Sequence, residues 1–127
     1  MHDHAQILVV SRDQLLLQTR RLILGTYFQV ESAGRISEAG SILSKHDFDI
    51  VVLCDTLSES DCRQIVEMVR NQKPEPTVLS LLGPGNKHSG SSVASKVVDG
   101  APLQLLKECA EVLGYNLRPG KQRIFAN

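Results

Sequence analysis

Three short apolar runs constrain the fold of this chain most strongly. They are ILVVS at Ile7–Ser11, IVVLC at Ile50–Cys54 and VLSLL at Val78–Leu82. Apart from Ser80 within the third run and Ser11 at the end of the first, these runs are apolar and do not alternate with polar residues, which is typical of strands buried on both faces of a parallel sheet. The runs therefore predict three central strands of a sheet that helices cover on both sides.

Segments of helical spacing separate these runs. The first predicted helix, Leu15–Leu24, carries Leu and Ile on one face and is expected to turn Arg20 and Arg21 away from the core. Three further helices are predicted, at Ile36–His46, behind Ser58 and from Pro102 onwards.

Two weaker runs, Phe28–Glu31 and Lys96–Val98, complete the pattern of strands. Strands that alternate with helices predict an α/β fold with a doubly wound parallel sheet of about five strands. Ligands of such sheets bind beyond the carboxyl ends of the strands. The candidate site is therefore expected just after Ser11, Cys54 and Leu82 and near Gly100–Pro102.

Composition limits the classes of function. The 127 residues suit one domain, predicted as residues 1–117 with a basic tail at residues 118–127. Fourteen basic and fourteen acidic residues cancel, which argues against nucleic acid as a partner. No apolar run approaches the roughly 20 residues of a membrane span. The three cysteines are odd in number and lack metal-ligand spacing, which favours the cytoplasm and no cofactor.

The order of these motifs resembles the receiver domain of two-component response regulators over about Gln6 to Tyr115. ILVVSRDQLLL is similar to the first strand and acidic cluster of that family, and FDIVVLCDTLSESDC to its third strand and following loop. VVDGAPLQLL is similar to its fifth strand, Lys-Pro turn and last helix. The resemblance implies a flavodoxin-like sheet in the order 2-1-3-4-5, with the three strong runs central and the two weak ones at the edges.

The positions that carry the family's chemistry differ here. The resemblance implies two acids that hold Mg²⁺ after the first strand, but Ser11 and Arg12 stand there and only a third acid, Asp13, remains. The family's phosphoacceptor Asp corresponds to Cys54. Its Thr or Ser after the fourth strand corresponds to Leu82, and its Lys before the proline to Ala101. Mg²⁺ requires hard oxygen ligands, so these substitutions predict no metal site and no phosphorylation.

Three residues of this degenerate pocket have alternative interpretations. Cys54 is either a small core residue, which we favour, or a reactive thiol favoured by a nearby Arg12. Asp55 is a phosphoacceptor only in a register shifted by one residue; pairing with Arg12 or capping of the local backbone is the favoured alternative. Arg12 either replaces the positive charge of the metal or is a solvated loop residue.

Two terminal groups of residues carry weaker signals. His2 and His4 suggest a metal site, but two histidines near a terminus are more often without such a role. Arg118, Lys121 and Arg123 are interpreted as a solvated tail rather than a contact for an acidic partner or nucleic acid.

The segment Gly83–Ser95 is rich in Gly and Ser and reads as a loop. The resemblance places the family's fourth helix here, so that helix is expected to be shortened or lost. Apolar surface uncovered by its loss is expected to be covered by a partner chain, most simply a second copy in a dimer.

The sequence thus predicts a stand-alone, degenerate receiver-like domain of bacterial phosphorelay signalling. It is expected to act without enzymatic activity as a protein-interaction module, with a histidine kinase or another signalling protein as its partner. The alternatives are a working receiver that uses Asp55 and a thiol-based sensor that uses Cys54.

Overall fold

A computed structural model describes residues 5–82 and 96–114 of the chain. In this part of the chain five strands and four helices are described. The strands are β1 (Gln6–Val10), β2 (Gln29–Ala33), β3 (Ile50–Leu53), β4 (Thr77–Leu82) and β5 (Lys96–Asp99). The helices are α1 (Gln14–Leu24), α2 (Ile36–Lys45), α3 (Glu59–Val69) and α4 (Pro102–Leu113).

The strands form one parallel sheet in the order β2-β1-β3-β4-β5. This confirms the flavodoxin-like topology, and it confirms that the three strongest apolar runs are central and the two weaker ones are edges. The predicted first and third strands each extended one residue too far. Ser11 and Cys54 lie just beyond β1 and β3, although their N–H groups still bond to the carbonyls of Ala33 and Val10 at 3.1 and 3.0 Å.

Each face of the sheet carries its own apolar core, because neighbouring side chains along a strand point to opposite faces. One core joins Leu8, Val10, Val51 and Leu53 to α2 and α3. The other joins Ile7, Val9, Ile50, Val52 and Cys54 to α1 and α4. The site at the carboxyl ends of the strands therefore stands on a base that is buried on both sides.

Local signals fix where the helices begin and end. The Asp13 carboxylate accepts from the N–H groups of Leu15 and Leu16 and caps α1. Ser58 and Asp61 form a capping box at the start of α3, each side chain accepting from the other's backbone N–H. At the end of α4, Gly114 has φ 76°, a left-handed conformation that glycine adopts without steric cost.

One prediction about α1 is wrong. Arg20 was expected to face away from the core with Arg21, but only 8% of Arg20 is exposed. The expected loop at Gly83–Ser95, the two N-terminal histidines and the basic tail lie outside the described residues.

Candidate functional site

The loops after β1, β3 and β5 meet at the carboxyl ends of the strands. They form two adjacent groups of polar contacts. The first group joins the β1–α1 loop to the β3–α3 loop. The Ser11 hydroxyl is completely buried and lies 2.9 Å from the Thr56 hydroxyl, and it also accepts from the Asp13 N–H at 3.1 Å. The Thr56 hydroxyl accepts from the Arg12 N–H at 3.0 Å. The hydroxyl groups of Ser11 and Thr56 are therefore both hydrogen-bonded to other groups of the protein.

The Arg12 guanidinium extends this first group to the start of α3. Its Nε donates to Asp61 Oδ2 at 2.7 Å and its Nη2 donates to Asp61 Oδ1 at 2.9 Å, which makes the ion pair bidentate. The pair is half exposed, since 52% of the Arg12 side chain but only 8% of the Asp61 side chain reaches solvent. The hydrogen bond from Arg12 is the main reason that the pKa of Asp61 falls to about 2, and the Asp61 carboxylate in turn raises the pKa of Arg12.

The second group is built around the side chain of Arg20, which reaches from α1 beneath the strand ends. Its Nη1 donates to Asp55 Oδ1 at 3.2 Å and its Nη2 donates to the Gly100 carbonyl at 3.4 Å. Both members of the Arg20–Asp55 pair are largely buried, with 9% and 13% of their side chains exposed. The prediction that Asp55 pairs with Arg12 is therefore wrong, because each arginine has a different aspartate.

Cys54 lies in the apolar core beneath this second group and is 2% exposed. Burial is the main cause that raises the pKa of its thiol, and the positive charge of Arg20 opposes that effect only in part. The cation beside Cys54 is thus Arg20 and not the predicted Arg12. Burial would by itself lower the pKa of Arg20, but its partners Cys54 and Asp55 turn the net direction upwards. Because the raised pKa keeps Cys54 a neutral thiol near pH 7, Asp55 is the anion that balances Arg20.

An open cavity of about 400 Å³ adjoins the Arg20–Asp55 pair, and both residues line it. It brings together several predicted positions: Asp55, Leu82 and Ala101 line it, with Arg20, Leu16, Asp99 and Gly100. Ser11, Arg12 and Asp13 belong to the first group and do not line it. The predicted residues thus all lie at the carboxyl ends of the strands, but they form two separate clusters.

The residues present do not fit Mg²⁺. This ion requires several hard oxygen ligands with near-octahedral geometry. Here the Asp13 carboxylate caps α1, the Asp61 and Asp55 carboxylates are each paired with a guanidinium, and Cys54 offers a buried thiol. In the part of the chain with described coordinates, no group of three or more His, Cys, Asp or Glu side chains is arranged to hold a metal ion.

Two residues of the site, Arg20 and Thr56, were missed by the sequence analysis, whereas Gly100 lies in the Gly100–Pro102 segment where the site was expected. A signal for Arg20 existed, since it stands three residues after Leu17 and four before Leu24, both buried on α1. That spacing puts all three on one helix face. Thr56 carries no comparable signal, because its role depends on how two loops meet.

Comparison with known proteins establishes the fold of the chain. Neither a family model nor a curated protein matches the sequence. Among solved structures, the chemotaxis protein CheY4 of Vibrio cholerae is similar at 22% identity and a TM-score of 0.69, over 86% of this chain and 98% of that one. A CheY-like receiver domain protein of Methanospirillum hungatei is similar at 18% identity and a TM-score of 0.71, over 88% of this chain and 95% of that one.

A third similar structure is a chain from the complex of the histidine kinase ThkA with the response regulator TrrA. It shares 17% identity at a TM-score of 0.68, over 86% of this chain and 98% of that one. These likenesses, all at low identity, show a CheY-like receiver fold.

Proposed function

We propose that this chain is a receiver-like module of two-component signalling that acts through protein contacts and does not accept a phosphoryl group. One observation carries the proposal. At the strand ends, where the receiver family places its metal acids and acceptor, the acids Asp55 and Asp61 are each neutralised by an arginine of the chain itself. Cys54, at the acceptor position of the resemblance, is a buried thiol.

Charge balance supports this proposal. Phosphoryl transfer requires cationic groups that offset the negative charge of the transferred group. The two guanidinium groups at this edge already have carboxylate partners, and Leu82 and Ala101 bring neither a hydroxyl nor an ammonium to the cavity. A phosphoryl group on Asp55 would have to break the Arg20 pair without a metal ion to replace it.

The partner is proposed to be another signalling protein, in the cytoplasm. A chain of similar fold belongs to a complex of a histidine kinase with a response regulator, which supports a kinase-type protein as the partner class. Among the described residues no helix is long and apolar enough to cross a membrane. A dimer that covers apolar surface near β4, β5 and α4 stays a prediction, to be decided by sedimentation at high protein concentration.

A working receiver that uses Asp55 is the second candidate, because its carboxylate follows β3 directly and lines the 400 Å³ cavity. Intact-mass measurement after incubation with Mg²⁺ and acetyl phosphate separates the two candidates. We expect no mass gain for the native chain. A gain of one phosphoryl group that is absent in Asp55→Asn would replace our proposal with this second candidate; Asp49→Asn, which alters an acid outside the cavity lining, is the matched control.

A thiol sensor is the third candidate. The pKa values of Cys62 and Cys109 are raised to about 11 and about 12, chiefly by burial, and that of Cys54 is raised as well. We therefore expect slow alkylation of all three thiols in the folded protein near pH 7. Rapid labelling of Cys54 alone, measured by peptide mass spectrometry, would favour the sensor instead.

A further inference from the structure

We propose that Arg20 acts as a built-in lock of the strand ends. Its guanidinium holds the end of β3 through Asp55 and the β5–α4 connection through Gly100, and so keeps the two in one arrangement with neither a metal ion nor a phosphoryl group. Arg20 is a positioning residue here, and the proposal concerns conformation rather than chemistry. It stays testable whatever the outcome of the phosphorylation experiment.

The contacts of the Arg20 guanidinium connect two separate elements of the fold. The two ends of one guanidinium contact elements that are far apart in sequence: Nη1 reaches Asp55 at 3.2 Å and Nη2 reaches the Gly100 carbonyl at 3.4 Å. A planar guanidinium presents donors in fixed directions, whereas the ammonium of lysine is a single point charge. A displacement of either element therefore costs at least one contact of a cation that is buried.

The backbone at Gly100 lies so close to this guanidinium that a side chain at this position would contact it. A Cβ on Gly100 would lie 2.8 Å from Arg20 Nη2 and 3.0 Å from the Leu82 carbonyl. Of the described glycines only Gly114 has a positive φ, so contact rather than backbone conformation excludes a side chain at Gly100. Arg20 and Gly100 thus form a matched pair.

The burial of the Arg20 side chain makes loss of its partner costly. A charged side chain that leaves water needs a partner of opposite charge and satisfied hydrogen bonds. Only 9% of the Arg20 side chain is exposed, so an alternative arrangement that removes Asp55 would leave this charge buried without its counter-ion. The native arrangement is therefore favoured over such a state.

Relaxation dispersion of backbone amides tests the lock, because it detects exchange with minor conformations on the microsecond-to-millisecond timescale. The informative amides are Thr56, beside the end of β3, and Ala101, beside Gly100. In the native chain we expect no exchange at either. In Arg20→Lys we expect exchange at both with a common rate, and a minor state that rises from below about 1% to about 5%.

Two further variants make the result decisive. Asp55→Asn preserves side-chain size and breaks only the ion pair at β3, yet it should also produce exchange at Ala101 if the lock couples the two elements. It serves equally if Arg20→Lys does not fold. Arg21→Lys, at the neighbouring exposed arginine, should leave both amides without exchange. Exchange confined to Thr56 in Asp55→Asn, exchange at both amides in the native chain, or its absence from every variant would overturn the proposal.

Discussion

Of the two arginine–aspartate pairs at the carboxyl ends of the strands, one has the shorter hydrogen bonds and the other has the more deeply buried arginine. Arg12 binds Asp61 through two short hydrogen bonds, but half of its side chain is in solvent. Arg20 binds Asp55 through one longer bond, but both side chains are largely buried. Water can solvate Arg12 when Asp61 is removed, whereas removal of either member of the second pair leaves a charge that is largely buried.

From this comparison we expect burial to be a better guide than bond length to the importance of a charged contact. A buried ion pair often makes the fold no more stable than an apolar pair of the same shape would, but removal of one member leaves the other charged and desolvated. Removal of Arg20 or Asp55 should therefore destabilise the fold more than removal of Asp61, despite the weaker geometry of the Arg20–Asp55 pair.

Arg20→Met should give the largest effect. Methionine fills part of the volume but leaves Asp55 largely buried without a counter-ion, so we expect a loss of about 3 kcal/mol in the free energy of unfolding. Urea unfolding followed by circular dichroism measures this loss. Arg21→Met, on the exposed side of α1, should change the value by less than about 0.5 kcal/mol. Equal effects of the two substitutions would remove the distinction between a buried and an exposed arginine.

Gly100→Ala should rank second. The added Cβ meets Arg20 Nη2 at 2.8 Å and the Leu82 carbonyl at 3.0 Å, so we expect a loss of about 2 kcal/mol from overpacking. The guanidinium can move only if it weakens its contacts with Asp55 and Gly100, and the carbonyl belongs to a central strand. The double variant Arg20→Met/Gly100→Ala should therefore lose less than the sum of the single losses, because one of the two clashes is gone. Strict additivity in the same urea measurement would contradict the matched-pair interpretation.

The sequence was sufficient to predict the sheet because its signals are periodic and repeated. Ile7–Val10 and Ile50–Cys54 are apolar throughout, and their shortness and β-branched residues favour strands buried on both faces. Strand ends were less certain: Ser11 and Cys54 keep the backbone hydrogen bonds of strand residues although β1 and β3 end one residue earlier.

The partners within the site could not be predicted in the same way. The positions Ser11, Cys54, Leu82 and Ala101 follow from the order of the strands, since parallel strands end at a common edge. Which arginine meets which aspartate depends on side-chain reach across loops, and Arg12 was paired with the wrong acid for that reason. Arg20 was assigned to solvent because of its charge, although its spacing from Leu17 and Leu24 puts it on the buried face of α1.

Asp61→Asn should have a smaller effect that depends on pH. The pKa of Asp61 is lowered to about 2 in the folded chain, mainly by the hydrogen bond from Arg12, against about 3.9 for an unperturbed Asp. A lowered pKa contributes stability above the unfolded pKa, and this contribution is lost as pH falls through the folded value. Because Arg12 is half exposed, we expect about 1 kcal/mol at pH 7.

The native chain should therefore lose this contribution between about pH 4 and pH 2, whereas Asp61→Asn has none to lose in that range. The difference in the free energy of unfolding between the two proteins, measured in urea at several pH values, should shrink as the pH falls. Asn also keeps an oxygen that can accept from the Ser58 N–H, so much of the capping box survives. A difference that stays constant from pH 7 to pH 2 would show that the Arg12 charge is not its source.

Arg63→Ala should give the smallest effect and completes the comparison. Arg63 Nη2 lies 3.2 Å from Glu59 Oε2 one turn earlier on α3, the same distance that joins Arg20 to Asp55. Here 63% and 55% of the two side chains are exposed, so water solvates either charge when its partner is removed. We expect a loss of about 0.3 kcal/mol in urea unfolding, which salt should abolish. A loss comparable to that of Arg20→Met at the same N–O distance would show that distance, and not burial, determines the effect, and the basis for treating Arg20 as a lock would be gone.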